Sequence, residues 1–494
     1  MDGHGRTTMH LPSIWVRANA AVRRVVPRPF ALALLVAVML SLLMLLKGDL
    51  ATRPVLPENL EALPLAGHRR LLVLAPHCDD ETLGAGGLIL AAQRLGMQVQ
   101  VVIATNGDGY RFATMEDFRR AFPRSGDYIR LGMLRQQESV RALQLLGVPE
   151  AQVTFLSYPD GGTPSLWTDH WSTQTPYRSP RSRTTRSPYP LTYDQNAVYA
   201  GADLLRDLVS IIGSYWPDLV VYPHPNDVHP DHWGLSAFAR LALAQAQRDN
   251  PAYHPDSYVY LVHRPDFPVP TGQRPNANLV PPEALWNIPP HWFRLDLGVA
   301  DTALKWQALQ AYSSQIRLLR GLFEDLVRAN ELFGRLDAID MPQLADGDPL
   351  DPRTWHDPSG APIQPAQLDP IGDITVRQAI PAADLSAVHV GESSDGLLGI
   401  CAQTRGRASR NLVYTLQLRA ISTDGTTLYT ARWGRVSSRE ASIGRAKGHF
   451  VCAQVPVAQL GNPWLVFANA TVRGSSAMAL DRTAWQLLTR RAGP

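Results

Sequence analysis

The chain has 494 residues, 45% of them hydrophobic, with 47 Lys and Arg against 44 Asp and Glu and a formal net charge of +3 at pH 7. This is an ordinary globular composition, long enough for two or three domains. So small a net charge excludes bulk electrostatics as a route to nucleic acid, and positive charge counts only where it clusters.

It clusters first at the start. Residues 1–29 carry Arg17, Arg23, Arg24 and Arg28, and Phe30 to Leu46 (FALALLVAVMLSLLMLL) is an unbroken apolar run toward the short end of what crosses a bilayer. The arginine bias predicts a cytoplasmic basic segment at 1–29, a transmembrane helix at 30–46 and an extracytoplasmic remainder, entered through a linker at 47–68. A cleaved leader is the competing reading, but LLKGDLATRPV offers no clear small-x-small cleavage site.

From Arg69 short apolar runs alternate with helix-like stretches: RRLLVLAP, TLGAGGLILAAQRLG, QVQVVIAT, RQQESVRALQLLGV, VTFLSY. After a polar stretch the pattern resumes with AGADLLRDLVSIIGSYW, DLVVYPH, a helix from Trp233 through Ala246, and SYVYLVH. This alternation predicts an α/β domain over 69–345, with a Rossmann-like, mostly parallel sheet and helices on both faces. Ligands of such sheets bind beyond the carboxyl ends of the strands.

Two such ends carry chemistry. APHCDDETLGAGG at 75–87 follows the first strand, and PHPNDVHPDHWG places His224, Asp227, His229, Asp231 and His232 after another. A catalytic zinc takes three His or carboxylate ligands and leaves one position for water. His77, Asp80 and His232 supply such a set. Asp79 beside it suits the base that takes the water's proton, and a protonated His229, oriented by Asp231, suits the developing negative charge on a carbonyl oxygen. GAGG lacks the G-x-G-x-x-G spacing of a dinucleotide site and predicts a helix closely approaching the sheet.

The stretch from Thr163 to Asn196 reads as a long loop. Its Trp167, Trp171, Tyr177 and Tyr189 suit sugar stacking or a core, and Arg178, Arg181, Arg183 and Arg186 suit solvent or an anionic surface. Leu309, Tyr312, Ile316, Leu319, Phe323 and Leu326 recur in steps of three and four, predicting one long amphipathic helix. DGDPLDPRTWHDPSGAPIQPAQLDP marks a linker at 346–370. Beyond it, NLVYTLQLRAIS and TLYTARWG flank the turn TDGT, and HFVCAQVPV and PWLVFANATV add strands, predicting an antiparallel β-sandwich at 371–494. Trp433, Trp464 and Trp485 read chiefly as its core. Cys401 and Cys452 suit a disulfide as well as two separate buried thiols, and Cys78 then has no partner.

HCDDE at 77–81 together with HPDH at 229–232 resembles the PIG-L/LmbE-like family of zinc-dependent de-N-acetylases, whose first motif usually reads His-Pro-Asp-Asp-Glu. TNGDG at 105–109, the helix around Arg135 to Glu138, YPDG at 158–161 and KWQALQAYSSQ at 305–315 follow in the same order, so the resemblance covers roughly 69–335. It implies Zn2+ or another divalent metal on His77, Asp80 and His232, with Asp79 as base and His229 backed by Asp231 as the electrophilic group. The expected substrate is an N-acetylated sugar in a glycolipid or glycan. Cys78 departs from the pattern by standing at the proline position, where it reads as a small buried side chain. Hydrolysis of another amide, such as a thiol-sugar conjugate, and non-catalytic glycan or lipid binding are the competing expectations.

Overall fold

The computed structural model describes residues 60–286, 288–371, 380–435, 443–475 and 479–490. The basic segment 1–29, the apolar run 30–46 and most of the expected linker at 47–68 lie outside the described residues. Among the described residues no helix is long and apolar enough to cross a membrane.

Strands β1 (Glu61–Ala62), β2 (Arg70–Ala75), β3 (Gln98–Thr105), β4 (Val153–Tyr158), β5 (Leu219–Pro223), β6 (Asp256–Tyr260), β7 (His291–Asp296) and β8 (Asn330–Arg335) make one sheet in the order β1-β7-β8-β6-β5-β2-β3-β4. Neighbours from β6 through β4 are parallel, and β8 runs against both β6 and β7. Eight helices are used below: α1 (Asp80–Arg94), α2 (Arg111–Asp117), α3 (Ser125–Leu145), α4 (Thr163–Thr168), α5 (Gly201–Tyr215), α6 (Pro230–Asp249), α7 (Val299–Leu309) and α8 (Ser313–Asp325).

The continuous apolar run of β2 explains the layering. Leu71, Val73 and Ala75 point to a core shared with α1, α3 and α7, while Leu72 and Leu74 point to one shared with α5 and α6. A strand buried on both faces must be covered on both, and parallel strands need crossovers long enough to supply the cover. The chain leaves β2 for β3 and β4 on one side and returns to β5 and β6 on the other. The ends of β2 and β5 therefore flank the point where strand order reverses. The glycines after β2 let α1 close on the sheet, since a Cβ at Gly84 would lie 2.2 Å from the Tyr260 ring.

The C-terminal region holds two six-stranded sheets, one built around Leu385–Ser393, Leu397–Thr404 and Phe450–Pro456, the other around Val413–Ile421, Thr426–Gly434 and Leu465–Arg473. Val388, Ile400, Leu418 and Val466 form a core common to both, and the hairpin at TDGT forms as expected. Cys401 faces Cys452 across neighbouring antiparallel strands and the two are disulfide-bonded.

Three expectations change. The expected linker at 346–370 is folded onto the sandwich, where Gln367–Leu368 pairs with Leu385–Ser393, and the end of the expected α/β domain joins it too: Gln343–Leu344 also pairs with Leu385–Ser393, and Ile339–Asp340 pairs with Gln486–Thr489. Buried Trp355, whose indole donates to Asp348 O at 2.9 Å, pins the proline-rich stretch against Cys401, Phe450 and Cys452. The expected linker at 47–68 likewise contributes an edge strand, because β1 pairs with β7. The single amphipathic helix is two, α7 and α8, broken at Tyr312. Glu138 causes the break by accepting from Ser313 Oγ at 2.7 Å, Ser314 N at 2.9 Å and Ser314 Oγ at 2.6 Å, which fixes a new helix start.

Trp167 lies fully buried in α4, so it is no sugar platform. It packs edge-on to Phe238, Phe467 and Trp485, joining the α/β core to the second sheet of the sandwich. Arg419 stacks over Trp171 at 4.5 Å and donates to Thr168 O at 3.3 Å, and Arg240 donates to Trp485 O at 2.6 Å. Within this junction the Trp167 indole N–H has no hydrogen-bond partner. Trp167→Phe is accordingly expected to cost no more than ~2 kcal/mol, because relief of a buried unpaired donor offsets the smaller ring. Equilibrium denaturant unfolding reads this directly, and a larger loss would show that the N–H is bonded.

Candidate active site

β2 ends at Ala75, and the turn through Cys78 leads to Asp79, which begins α1 with φ 131°, a strained conformation for a side-chain-bearing residue. Its backbone N–H donates to Glu81 Oε2 at 3.0 Å, while Thr82 N and Leu83 N donate to its carbonyl. Glu81 is held in turn by the Tyr312 hydroxyl at 2.7 Å. Cys78 is fully buried. Burial pushes its thiol up, and it lies outside the clusters of converging ligand atoms described below.

At the end of β5 the chain enters α6 with His229 as its cap, and the motif after β2 meets the motif after β5 directly. His77 Nδ1 lies 2.9 Å from Asp80 Oδ2, and His232 Nε2 lies 3.0 Å from the same oxygen. His77, His229 and His232 each offer a ring nitrogen within 4.8 Å of the others, and so do Asp80, His232 and His263 with one atom each. Asp80 Oδ1 is buried without a hydrogen-bonded partner. Two imidazole nitrogens gathered about one buried carboxylate, with its second oxygen unbonded, are the donor set a divalent cation takes, so His77, Asp80 and His232 fit a metal. Asp227 Oδ2, 3.0 Å from His232 Nδ1, orients that ligand from behind.

Charge in the metal-free site follows the same contacts. Burial opposes an imidazolium at His77 and His232, but Asp231 and Asp80 raise the first well above its usual value, and Asp227 and Asp80 bring the second to about 9. Burial pushes Asp79 up to about 8 against the pull of Arg135, within the range a base needs near neutral pH. Protons thus stand where a cation would, and binding one expels them. Zinc affinity is expected to weaken steadily from pH 9 to pH 6, with protons released on binding. Calorimetric titrations in buffers of different ionisation enthalpy measure both.

Two expected roles change. Asp231 does not hold the His229 ring: its carboxylate takes His77 Nε2 at 3.1 Å, Gly161 N at 2.6 Å and Thr163 Oγ1 at 2.7 Å. Burial and the neighbouring His77 and His232 lower His229 to about 3, which favours the neutral ring over the protonated one expected. Its Nδ1 accepts from Asp231 N at 3.3 Å, which leaves the proton of the neutral ring on Nε2. His224 stands apart, stacked on Trp292 with Nδ1 accepting from Asn226 N at 3.0 Å.

Residues 72–243 match the family model described as PIG-L: GlcNAc-PI de-N-acetylase. The chain carries a PIG-L domain. It is 29% identical over 191 residues to 1D-myo-inositol 2-acetamido-2-deoxy-alpha-D-glucopyranoside deacetylase of Mycobacterium sp. (strain KMS), covering 37% of this chain and 53% of that protein. The protein of the same name from Mycolicibacterium smegmatis (strain ATCC 700084 / mc(2)155) is 28% identical over 238 residues, covering 46% and 67%. The chain thus spans about half the length of the first of these relatives. Among solved structures, N,N'-diacetylchitobiose deacetylase from Pyrococcus horikoshii is similar at 19% identity and a TM-score of 0.34, over 55% of this chain and 84% of that one.

The site opens into a cleft of about 310 Å³ lined by His77, Asp79, Arg135, Asp160, His229 and His263 among others, of which His263 lies beyond the matched residues. Sequence reasoning missed three of these. Arg135, from α3, donates to Asp79 Oδ2 at 3.1 Å, Cys78 O at 2.5 Å and Gly107 O at 2.7 Å. Gly107, at φ 61°, makes room for it, since a Cβ there would lie 1.7 Å from Arg135 Nη1. Asp160 accepts from Gly109 N at 2.6 Å and lies 3.7 Å from His77 Nε2. His263 follows β6 with Nε2 3.8 Å from Asp80 Oδ1. Its one signal was a histidine just past the end of a strand, as at His77.

Of the residues read as aromatic stackers, Tyr189 is buried with its hydroxyl on Asp108 at 2.7 Å, and Tyr177 is half-buried. Arg178, Arg183 and Arg186 are exposed.

Proposed function

We propose that the chain is a metal-dependent amidohydrolase that removes the acetyl group from an N-acetylglucosamine-type sugar of a glycolipid or glycan. The observation that carries this reading is the convergence of His77, Asp80 and His232 beside a raised, Arg135-held Asp79 in one cleft. The PIG-L match and the deacetylase names of the mycobacterial relatives support the choice of acyl group and sugar.

His77, Asp80 and His232 would hold the metal, zinc foremost. When bound, the metal supplies a water of lowered pKa and polarises the amide carbonyl. Asp79 takes the proton of the attacking water, and Arg135 keeps its carboxylate aimed while tying it to the turn at Cys78. His229 presents its neutral Nε2–H to the cleft, where it donates to the carbonyl oxygen as negative charge develops. Asp231 fixes His77 and the Gly161 turn, and so the shape of the cleft floor. The proton on Asp79 then passes to the departing amine.

The apolar run 30–46 with its preceding arginines, and the Cys401–Cys452 disulfide, support a single-pass anchor with the catalytic part outside the cytoplasm. The test is acetate release from N-acetylglucosamine-containing glycolipids, polymers and soluble glycosides, with zinc supplied and then chelated. Release that stops on chelation is expected. Zinc-loaded protein inert on every acceptor sinks the reading.

A further inference from the structure

Tyr110 lines the cleft, and its ring meets Phe112 edge-on at 6.4 Å. Outward from there the surface changes character. Phe112 is 65% exposed, Phe122 82%, and Leu318 on α8, which packs against α2, 41%. Scattered apolar residues on a surface need no explanation, but Phe112 and Phe122 share one short segment with four exposed arginines, Arg111, Arg119, Arg120 and Arg124. Arg120 pairs with Asp127 at 3.2 Å. Among the described residues Arg111, Arg119 and Arg124 have no acidic partner. The acids of this segment are already engaged, since Glu116 and Asp117 both face Arg317. Phe118, under the Arg130 guanidinium at 4.4 Å, fixes the segment against α3.

We propose that Tyr110 to Arg124 is a docking rim that seats the mouth of the cleft against an anionic bilayer surface, which makes the substrate a sugar amide carried on a lipid. An anionic bilayer accepts both halves of this surface at once, phenyl rings into the acyl boundary and guanidinium groups onto phosphates. A soluble polyanion would use the arginines alone and leave Phe112 and Phe122 in water. Continuity with Tyr110 brings a headgroup sugar to the cleft without the lipid leaving its layer. The substrate class rests on the hydrolase reading; the docking does not.

The test uses the full chain in nanodiscs of phosphatidylcholine alone or mixed with phosphatidylglycerol, with Phe122→Cys carrying an environment-sensitive fluorophore. Cys78 is buried and Cys401 is paired with Cys452, so the label goes to position 122. A blue-shifted emission, quenched by brominated acyl chains, is expected in the anionic discs only. It should be lost when Arg111, Arg119 and Arg124 are changed together to Gln, in protein that still releases acetate from a soluble glycoside at the unchanged rate. Water-like emission in both discs overturns the proposal, as does an equal shift in both or a shift produced by soluble polyphosphate instead. Acetate release from the soluble glycoside is scored separately, so loss of hydrolysis and loss of docking are told apart.

Discussion

Asp79→Ala is expected to keep the metal and lose turnover, with kcat down about 10²- to 10⁴-fold, the span that positioned acid–base groups contribute. Asp79 gives its carboxylate to Arg135 and is not one of the three proposed ligands, so its removal leaves His77, Asp80 and His232 in place. His232→Ala is expected to lose both, because it removes a ligand and leaves Asp227 and Asp80 as buried carboxylates without their imidazole. Metal content by atomic absorption, read beside kcat, separates the two. Loss of metal from the Asp79 variant with retention in the His232 variant would reverse the assignments.

The second large effect concerns stability. Lys305 Nζ is fully buried, donating to Glu331 Oε1 at 2.7 Å and Leu83 O at 2.8 Å. Glu331 also accepts from Gly87 N at 2.7 Å and Leu88 N at 2.9 Å, so this pair ties α7 and β8 to the middle of α1. Lys305→Met leaves a buried carboxylate without its cation, which typically costs about 3–5 kcal/mol. Adding Glu331→Gln should recover part of that loss, since no charge remains and the amide oxygen still accepts from one of the two backbone donors, while the other donor loses its acceptor. Denaturant midpoints of the single and double variants decide it. A double variant no more stable than the single would show that the pair serves packing, not charge compensation.

Legibility in the sequence followed the range of the signal. Both site motifs follow apolar strands, and each puts its functional side chains within a few residues, so local spacing exposed them along with the parallel sheet. Arg135, Asp160 and His263 act from three other elements, and only the fold brings them to Asp79 and His77. The roles of Asp231 and His229 needed three dimensions as well, because adjacency suggested a pair where the carboxylate reaches across to His77. Periodicity ran straight through the break at Tyr312, since the apolar stripe continues while Glu138 restarts the helix. Composition marked 346–370 as a linker because prolines and aspartates outnumber the one tryptophan that anchors it.

The junction at Trp167 carries a consequence for how the molecule comes apart. Phe467 and Trp485 from the sandwich complete the same apolar cluster as Phe238 of α6, and Arg419 and Arg240 reach across it in opposite directions. Cutting the chain after β8 would strip one wall from that cluster and leave an oily face on the catalytic half. Calorimetry should then show one heat-absorption peak for the described region, not one for each half. A fragment ending near Arg335 should aggregate where the longer chain stays dispersed.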